Sequence, residues 1–127
     1  MDKAEVLDLL FWYKSAKRDL PWRKSKNLAR GDRIYQTWIS EVMSQQSTIK
    51  TVVPRFTKWM QKFPNLESLR KAHFEEVLEL WQGLGYYSRA RNLLEAAKSL
   101  TSFDEFRAWS DFKSLKGVGD YTAKAIA

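Results

Sequence analysis

Leu115-Lys116-Gly117-Val118-Gly119-Asp120-Tyr121-Thr122-Ala123 is the stretch from which the rest of this chain is read. A helix runs into a tight Gly-x-Gly turn, and a second helix leaves it. Glycine at 117 and 119 allows φ > 0 and lets the backbone come close to a partner. The unpaired N–H groups at the start of the new helix then suit a phosphate oxygen. Contacts of that kind hold a nucleic-acid backbone without reading its bases. An ordinary helix–helix turn accounts for the same residues equally well, and Asp120 opposes a phosphate unless it is the N-cap.

Working back from this turn, the chain reads as helices throughout. Val6, Leu7, Leu10, Phe11 and Tyr13 predict a helix over 3–16. A turn at Leu20-Pro21-Trp22-Arg23 and a basic polar loop over 24–33 follow it. Ile34, Trp38, Val42, Ile39 and Met43 form one apolar stripe over 34–46. Ile49, Val52, Val53, Phe56, Met60 and Phe63 repeat with a 3.6-residue period. Pro54 fits that helix in its first turn and otherwise kinks it. Shorter helices are expected over 66–72 and 74–82, and a longer one over 87–100. Ser102-Phe103-Asp104-Glu105 has capping-box spacing and should start another short helix. The last helix begins at Asp120 or Tyr121 and has no C-cap signal before Ala127, as expected of a fragment. There is no convincing strand, so the fold class is all-α.

Composition narrows the functions. The 127 residues suit one domain, with six Trp and seven Phe to fill a core. Lys plus Arg number 22 against 15 Asp plus Glu, a net charge of +7. That balance favours a polyanion such as nucleic acid or an acidic membrane surface, and a merely basic soluble protein equally. The absence of Cys excludes disulfides and thiolate metal sites within the chain. His73 alone provides no material for a histidine metal site or a catalytic triad and reads as a solvated linker residue. No apolar run approaches the roughly 20 residues of a membrane span. The N-terminus lacks the layout of a signal peptide. A cytoplasmic location is expected, at the nucleoid if the source is bacterial.

Three further segments could carry chemistry. Glu41 sits beside the apolar stripe of its helix, where burial raises a carboxyl pKa and keeps an acid protonated near neutral pH. An exposed surface Glu is the commoner outcome for such a position. In Gly83-Leu84-Gly85-Tyr86-Tyr87-Ser88-Arg89-Ala90-Arg91-Asn92, an exposed Tyr86 could stack on bases or wedge between them, with Arg89 or Arg91 on a phosphate. Alternatively both arginines are solvated; Tyr87 is read as core. Trp22 could line a pocket for a flat ring or plug the core.

Taken in order, Leu20-Pro21-Trp22-Arg23, Trp38-Ile39-Ser40-Glu41-Val42-Met43 with Gln45-Gln46, Gly83 through Leu93, and Gly117-Val118-Gly119 resemble the MutY-type adenine DNA glycosylases of the helix-hairpin-helix superfamily. The resemblance covers about residues 6–127. It implies a helix-hairpin-helix glycosylase fold, with 1–127 the N-terminal part of the catalytic domain and its six-helix barrel. It implies a base-excision repair hydrolase that flips adenine out of a pairing with 8-oxoguanine or guanine and cleaves its N-glycosidic bond. Glu41 would be the general acid at adenine N7, and Tyr121 would support a second carboxylate at the sugar cation, as in a glycosidase. Arg18, Leu20, Trp22 and Arg23 would belong to the adenine pocket. Gln46 would insert into the stack, Ser47 and Leu84 would contact 8-oxoguanine, and Tyr86 would be the wedge. Gly117, Val118 and Gly119 would anchor a phosphate. The partner is then double-stranded DNA with an adenine:8-oxoguanine mispair, bound by a monomer.

The chain departs from the family pattern in several places. The loop over 24–33 is longer and more basic than usual, and Arg33-Ile34-Tyr35 stands where Asp-Pro-Tyr is common. Ser47 replaces the usual Thr, Lys116 a Pro, and Lys124 a small residue. The family's catalytic Asp, its four-Cys [4Fe-4S] motif and its 8-oxoguanine-reading domain would all lie beyond Ala127. The fragment is therefore expected to be inactive, or nearly so, with no cofactor of its own. Two alternatives remain: an endonuclease III-like pyrimidine glycosylase/lyase and a non-catalytic helix-hairpin-helix DNA-binding module. The lyase needs a Lys nucleophile just after the hairpin, where Tyr121 stands and Lys124 is a turn further on. Borohydride trapping on damaged DNA is expected to give no covalent adduct; a Schiff-base adduct would restore the lyase reading.

Overall fold

The computed structural model describes residues 29–45 and 47–126. The helix expected over 3–16, the segment carrying Arg18, Leu20, Trp22 and Arg23, most of the basic loop, and Gln46 lie outside the described residues. Among the described residues the elements run α1 Arg30–Ser44, α2 Ile49–Lys62, α3 Leu66–Arg70, α4 Phe74–Trp81, α5 Tyr87–Lys98, a 3-10 helix Trp109–Ser114, and α6 Asp120–Ile126. None of the described residues is in a strand. Helix α1 packs on α2 and α6, α5 packs on α3 and α4, and α2 also meets α4.

Helix α1 starts four residues before the expected position, so residues 30–33 of the basic loop are its first turn. Asp32 lies in that turn, where the helix dipole favours a negative charge. Arg30 is no solvated loop residue. Its guanidinium donates to the carbonyl of Phe103 at 3.1 Å and to that of Phe106, pinning the 103–106 turn against α1. The helix expected to start at Ser102 does not form. Ser102 Oγ instead accepts from the Asp104 N–H at 3.2 Å, a local turn that competes with helix. The next helical turn waits for Trp109, where the Asp111 carboxylate accepts the N–H groups of Arg107 and Ala108 at 2.7 and 2.8 Å. Those backbone bonds hold the Asp111 carboxyl below the ordinary carboxylate range.

Pro54 stands inside α2, in its second turn rather than its first. It is exposed, and so is Lys50, whose carbonyl loses its N–H partner and can take water. The stripe of α1 is buried as its spacing predicted: Trp38, Ile39 and Met43 are fully enclosed. Around them Trp59, Trp81, Phe56 and Tyr35 fill the centre. Trp59 meets Phe63 and Trp81 edge to face, at 5.3 and 6.0 Å between ring centres.

Tyr35 and Trp59 are paired in a chain within this core, while the buried Trp38 Nε1 has no hydrogen-bond partner among the described residues. Trp59 Nε1 donates to Tyr35 Oη at 3.0 Å, and Tyr35 Oη donates to the Phe63 carbonyl at 2.6 Å. Burial pushes the Tyr35 phenol well above its ordinary pKa. The phenol closes the end of α2, since Phe63 is its C-cap. Tyr35→Phe leaves both the indole N–H and the Phe63 carbonyl without this partner. It is expected to cost about 1–3 kcal/mol, read in urea unfolding as a lower midpoint at unchanged slope.

Candidate functional site

Two glycine turns and the end of α1 come together on one side of the molecule. Helix α1 stops at Ser44, and Gln45 turns extended, at φ −63° and ψ 117°. Ser47 follows and is half-buried, and Thr48 caps α2 by accepting from the Thr51 N–H at 3.3 Å. Gln45 Nε2 donates to Thr122 Oγ1 at 3.1 Å, tying the end of α1 to α6. Glu41 is four residues before Gln45 and so on the same face of α1. It is half-buried, between buried Ser40 and Val42. That face looks toward α6, where Tyr121, next to Thr122, is 81% exposed.

The turn between α4 and α5 is held by side chains from three directions. Trp81 Nε1 donates to the Gly85 carbonyl at 3.0 Å. Arg55 on α2 donates from Nε to the Gln82 carbonyl at 2.6 Å and from Nη1 to the Thr51 carbonyl at 3.2 Å. Arg89 on α5 donates from Nη2 to the Leu84 carbonyl at 3.1 Å and from Nη1 to the carbonyls of Val42, at 2.8 Å, and Gln45. Thus Arg89, read as a phosphate contact or a solvated residue, is partly buried and bonded to three carbonyls of its own chain. Burial lowers its guanidinium pKa, and the Tyr86 phenol opposes that shift.

This clamped turn ends at Tyr86, which caps α5 in the left-handed region, at φ 49° and ψ 60°. Such a backbone is strained for a bulky residue and persists only when its surroundings impose it. The ring is 63% exposed and lies against the Arg89 guanidinium, 5.4 Å from it. Leu84 goes the other way: it is buried in the core, beneath the turn rather than on its surface. Tyr87, expected in the core, is 51% exposed. It opens α5 and lines a groove of about 490 Å³ with Phe74, Leu78 and Arg91.

At the hairpin, Gly117 takes φ +84° with its α-carbon against Asn92 of α5. Val118 is buried, and its N–H donates to the Leu115 carbonyl at 3.1 Å. The Gly119 carbonyl accepts from the Ala123 N–H at 2.9 Å, so Gly119 rather than Asp120 caps α6. A side chain at Gly119 would meet nothing within 4 Å, so the chain's own packing does not require glycine there. Asp120 is paired with Lys113, Oδ1 to Nζ at 2.8 Å, and that bond, with Lys124 nearby, holds its carboxyl below the ordinary range. The negative charge that opposed a phosphate is thereby matched. Lys124 also sits 4.6 Å over the Trp109 ring.

A family model described as HhH-GPD superfamily base excision DNA repair protein matches residues 39–127. The chain belongs to this superfamily. Helix α1 from Ile39, both glycine turns and α6 all fall within the match. The chain is also 49% identical to an adenine DNA glycosylase of Mus musculus over 94% of its own length and 24% of that protein's. It is 46% identical to an adenine DNA glycosylase of Homo sapiens, over 99% of the chain and 25% of the relative. To one of Buchnera aphidicola subsp. Schizaphis graminum it is 40% identical, over 93% of the chain and 33% of the relative. The chain thus spans a quarter to a third of the length of these relatives.

Within this HhH-GPD segment, Arg89 joins the end of α1 to the turn before Tyr86, and Gln45 joins the end of α1 to Thr122, next to Tyr121. A cleft of about 20 Å³ lies between Gln45, Arg89 and Gly117. The sequence reading missed Arg55, Trp81 and Thr122, which hold the junction together. Among the described residues no cluster of His, Cys, Asp or Glu could hold a metal ion. With no Cys in the chain, a four-thiolate iron–sulfur cluster has no ligands here. No described helix is long and apolar enough to cross a membrane.

Gly83 tests the clamp. Its φ is +87°, and a Cβ there would land on the Arg55 guanidinium. Gly83→Ala is expected to lower stability by at least about 1 kcal/mol in urea unfolding. Gly31→Ala, in the first turn of α1 with open space around it, should raise it by about 0.5–1 kcal/mol.

Proposed function

We propose that the protein carrying this sequence is an adenine DNA glycosylase that acts on double-stranded DNA by flipping adenine opposite 8-oxoguanine or guanine. The observation that carries this reading is the Gln45–Thr122 bond, which turns the Glu41 face of α1 toward the helix that follows the glycine hairpin. Likeness to the adenine DNA glycosylases of mouse and man over nearly the whole chain supports it. Glu41 acts as the general acid, giving its proton to adenine N7 so that the base leaves as a neutral molecule. The sugar is left with oxocarbenium character, which a second carboxylate stabilises before water adds. Tyr121 serves that second group from the surface of α6.

The same reading divides the remaining residues by task. The hairpin at 117–119 lays backbone N–H groups on a phosphate, with the open space at Gly119 admitting the close approach. Tyr86 enters the base stack at the gap left by the flipped nucleotide. Gln46 and Ser47 follow the end of α1 toward the lesion, while Arg18, Leu20, Trp22 and Arg23 line the adenine pocket. The net charge of +7 adds a salt-sensitive attraction for DNA that is indifferent to sequence.

The test is single-turnover release of adenine from a duplex carrying adenine opposite 8-oxoguanine, with the intact protein. Glu41→Gln is expected to slow release by about 10²–10⁴-fold with duplex affinity kept. Release at the unchanged rate would make Glu41 structural, and no release by the intact unsubstituted protein would favour a DNA-binding module. The 127-residue chain by itself is expected to bind duplex weakly and release little or no adenine.

A further inference from the structure

We propose that Arg89 is a positioning residue, not a phosphate contact: it fixes Tyr86 and Gln45 in one frame, so that the wedge and the end of α1 meet DNA in fixed register. The inference rests on the reading of Tyr86 as the wedge. It begins from what the guanidinium touches. Two of its nitrogens reach three backbone carbonyls: Val42 and Gln45 at the end of α1, and Leu84 in the glycine turn. The Val42 carbonyl, in the last turn of α1, also accepts the Gln45 N–H at 3.3 Å, and the Gln45 carbonyl lies at the C-cap, just past the helical ladder. The Leu84 carbonyl belongs to a turn with no regular ladder. One planar fork therefore satisfies acceptors from two separate loops, a geometry that a lysine point charge does not reproduce.

Arg89 also lies against the ring it is proposed to position. Its carbon Cζ is 5.4 Å from the Tyr86 ring centre and 5.7 Å from that of Trp81. Tyr86 is the one non-glycine with positive φ among the described residues. The Trp81–Gly85 bond, the Arg55–Gln82 bond and the Arg89–Leu84 bond fix the backbone immediately before it. A wedge that enters DNA already ordered avoids the entropy of freezing its ring on binding.

The two roles separate by salt and by rescue. A phosphate-contacting arginine, once neutralised, makes affinity fall less steeply with salt, by about one unit of log–log slope. Lysine then restores most of the loss, because a phosphate accepts a point charge. A carbonyl fork leaves the slope alone, and lysine does not replace it. The probes are two duplexes of equal length: one undamaged, one carrying 2′-fluoro-2′-deoxyadenosine opposite 8-oxoguanine, where the fluorine prevents base loss by destabilising the sugar cation. Affinities of the intact protein and its variants are measured over a salt series.

Tyr86→Ala is expected to reduce the preference for the lesion duplex roughly tenfold, the loss of one stacking contact. Arg89→Gln and Arg89→Lys should both reduce it to a similar extent, with affinity for undamaged DNA and the salt slope unchanged. Adding either to Tyr86→Ala should reduce it no further. Retained affinity for undamaged DNA shows that each variant is folded. Arg55→Gln, which frees the Gln82 carbonyl from the other side, should give a smaller loss of the same kind and stands in if an Arg89 variant does not fold. Rescue by Arg89→Lys, or a slope lowered by about one in Arg89→Gln, would overturn the proposal. So would an unchanged preference in Arg89→Gln, or in Arg55→Gln standing in for it, while Tyr86→Ala loses it. Should Tyr86→Ala keep full preference, the wedge reading itself fails and the Arg89 proposal with it.

Discussion

The junction depends on one guanidinium. Arg89 reaches from the start of α5 to the end of α1 and to the turn before Tyr86, binding a carbonyl acceptor of each. A buried carbonyl left without a donor costs about 1–3 kcal/mol, so the two loops gain most when they are held together. Around this contact, Gln45 binds Thr122 and Gly117 packs on Asn92 of the same helix. The hairpin, the end of α1 and the α4–α5 turn thereby form one surface, although they lie far apart along the chain. Without Arg89 the end of α1 and the α4–α5 turn would lose the side chain that joins them.

That surface is rigid because of what lies under it. Trp59, Trp81, Tyr35 and Phe63 form a buried aromatic block whose polar atoms pair with one another. Trp81 extends the block to the surface, with its ring in the core and its N–H on the Gly85 carbonyl. Catalysis on a base needs the acid and the stacking groups held to within a fraction of an ångström. Rigid elements that carry Glu41 on α1 and Tyr121 on α6, with Tyr86 fixed at the head of α5, suit that demand. Charge at the hairpin is balanced locally: the Asp120 carboxylate is matched by Lys113.

The sequence made some of this legible and hid the rest, for physical reasons. The stripes of α1, α2 and α5 were readable because burial repeats with the helical period, and Trp38, Phe56 and Leu93 are enclosed where the spacing put them. Both glycine turns were readable because Gly117, Gly83 and Gly85 do adopt positive φ. What failed were positions where a side chain acts on a distant backbone. Arg30 and Arg89 look like solvent or phosphate groups by type, yet each ends on carbonyls of another segment. Ser102 had the spacing of a cap but bonds two residues on, and the next helical turn starts where Asp111 accepts the Arg107 and Ala108 N–H groups. Tyr87, read as core, is exposed at the head of α5, next to the left-handed Tyr86. The role given to Glu41 came from family likeness; its spacing indicated only the edge of a core.

Native-state hydrogen exchange of the intact protein tests the junction most directly. The amides of Gln45 and Leu84 each donate inside one of the two loops, to the carbonyls of Val42 and Trp81. If Arg89 unites the loops, Arg89→Lys raises exchange at both amides together and leaves Trp59 and Leu93, in the helical core, at their original protection. Faster exchange at only one of the two loops, or at neither, would contradict the account.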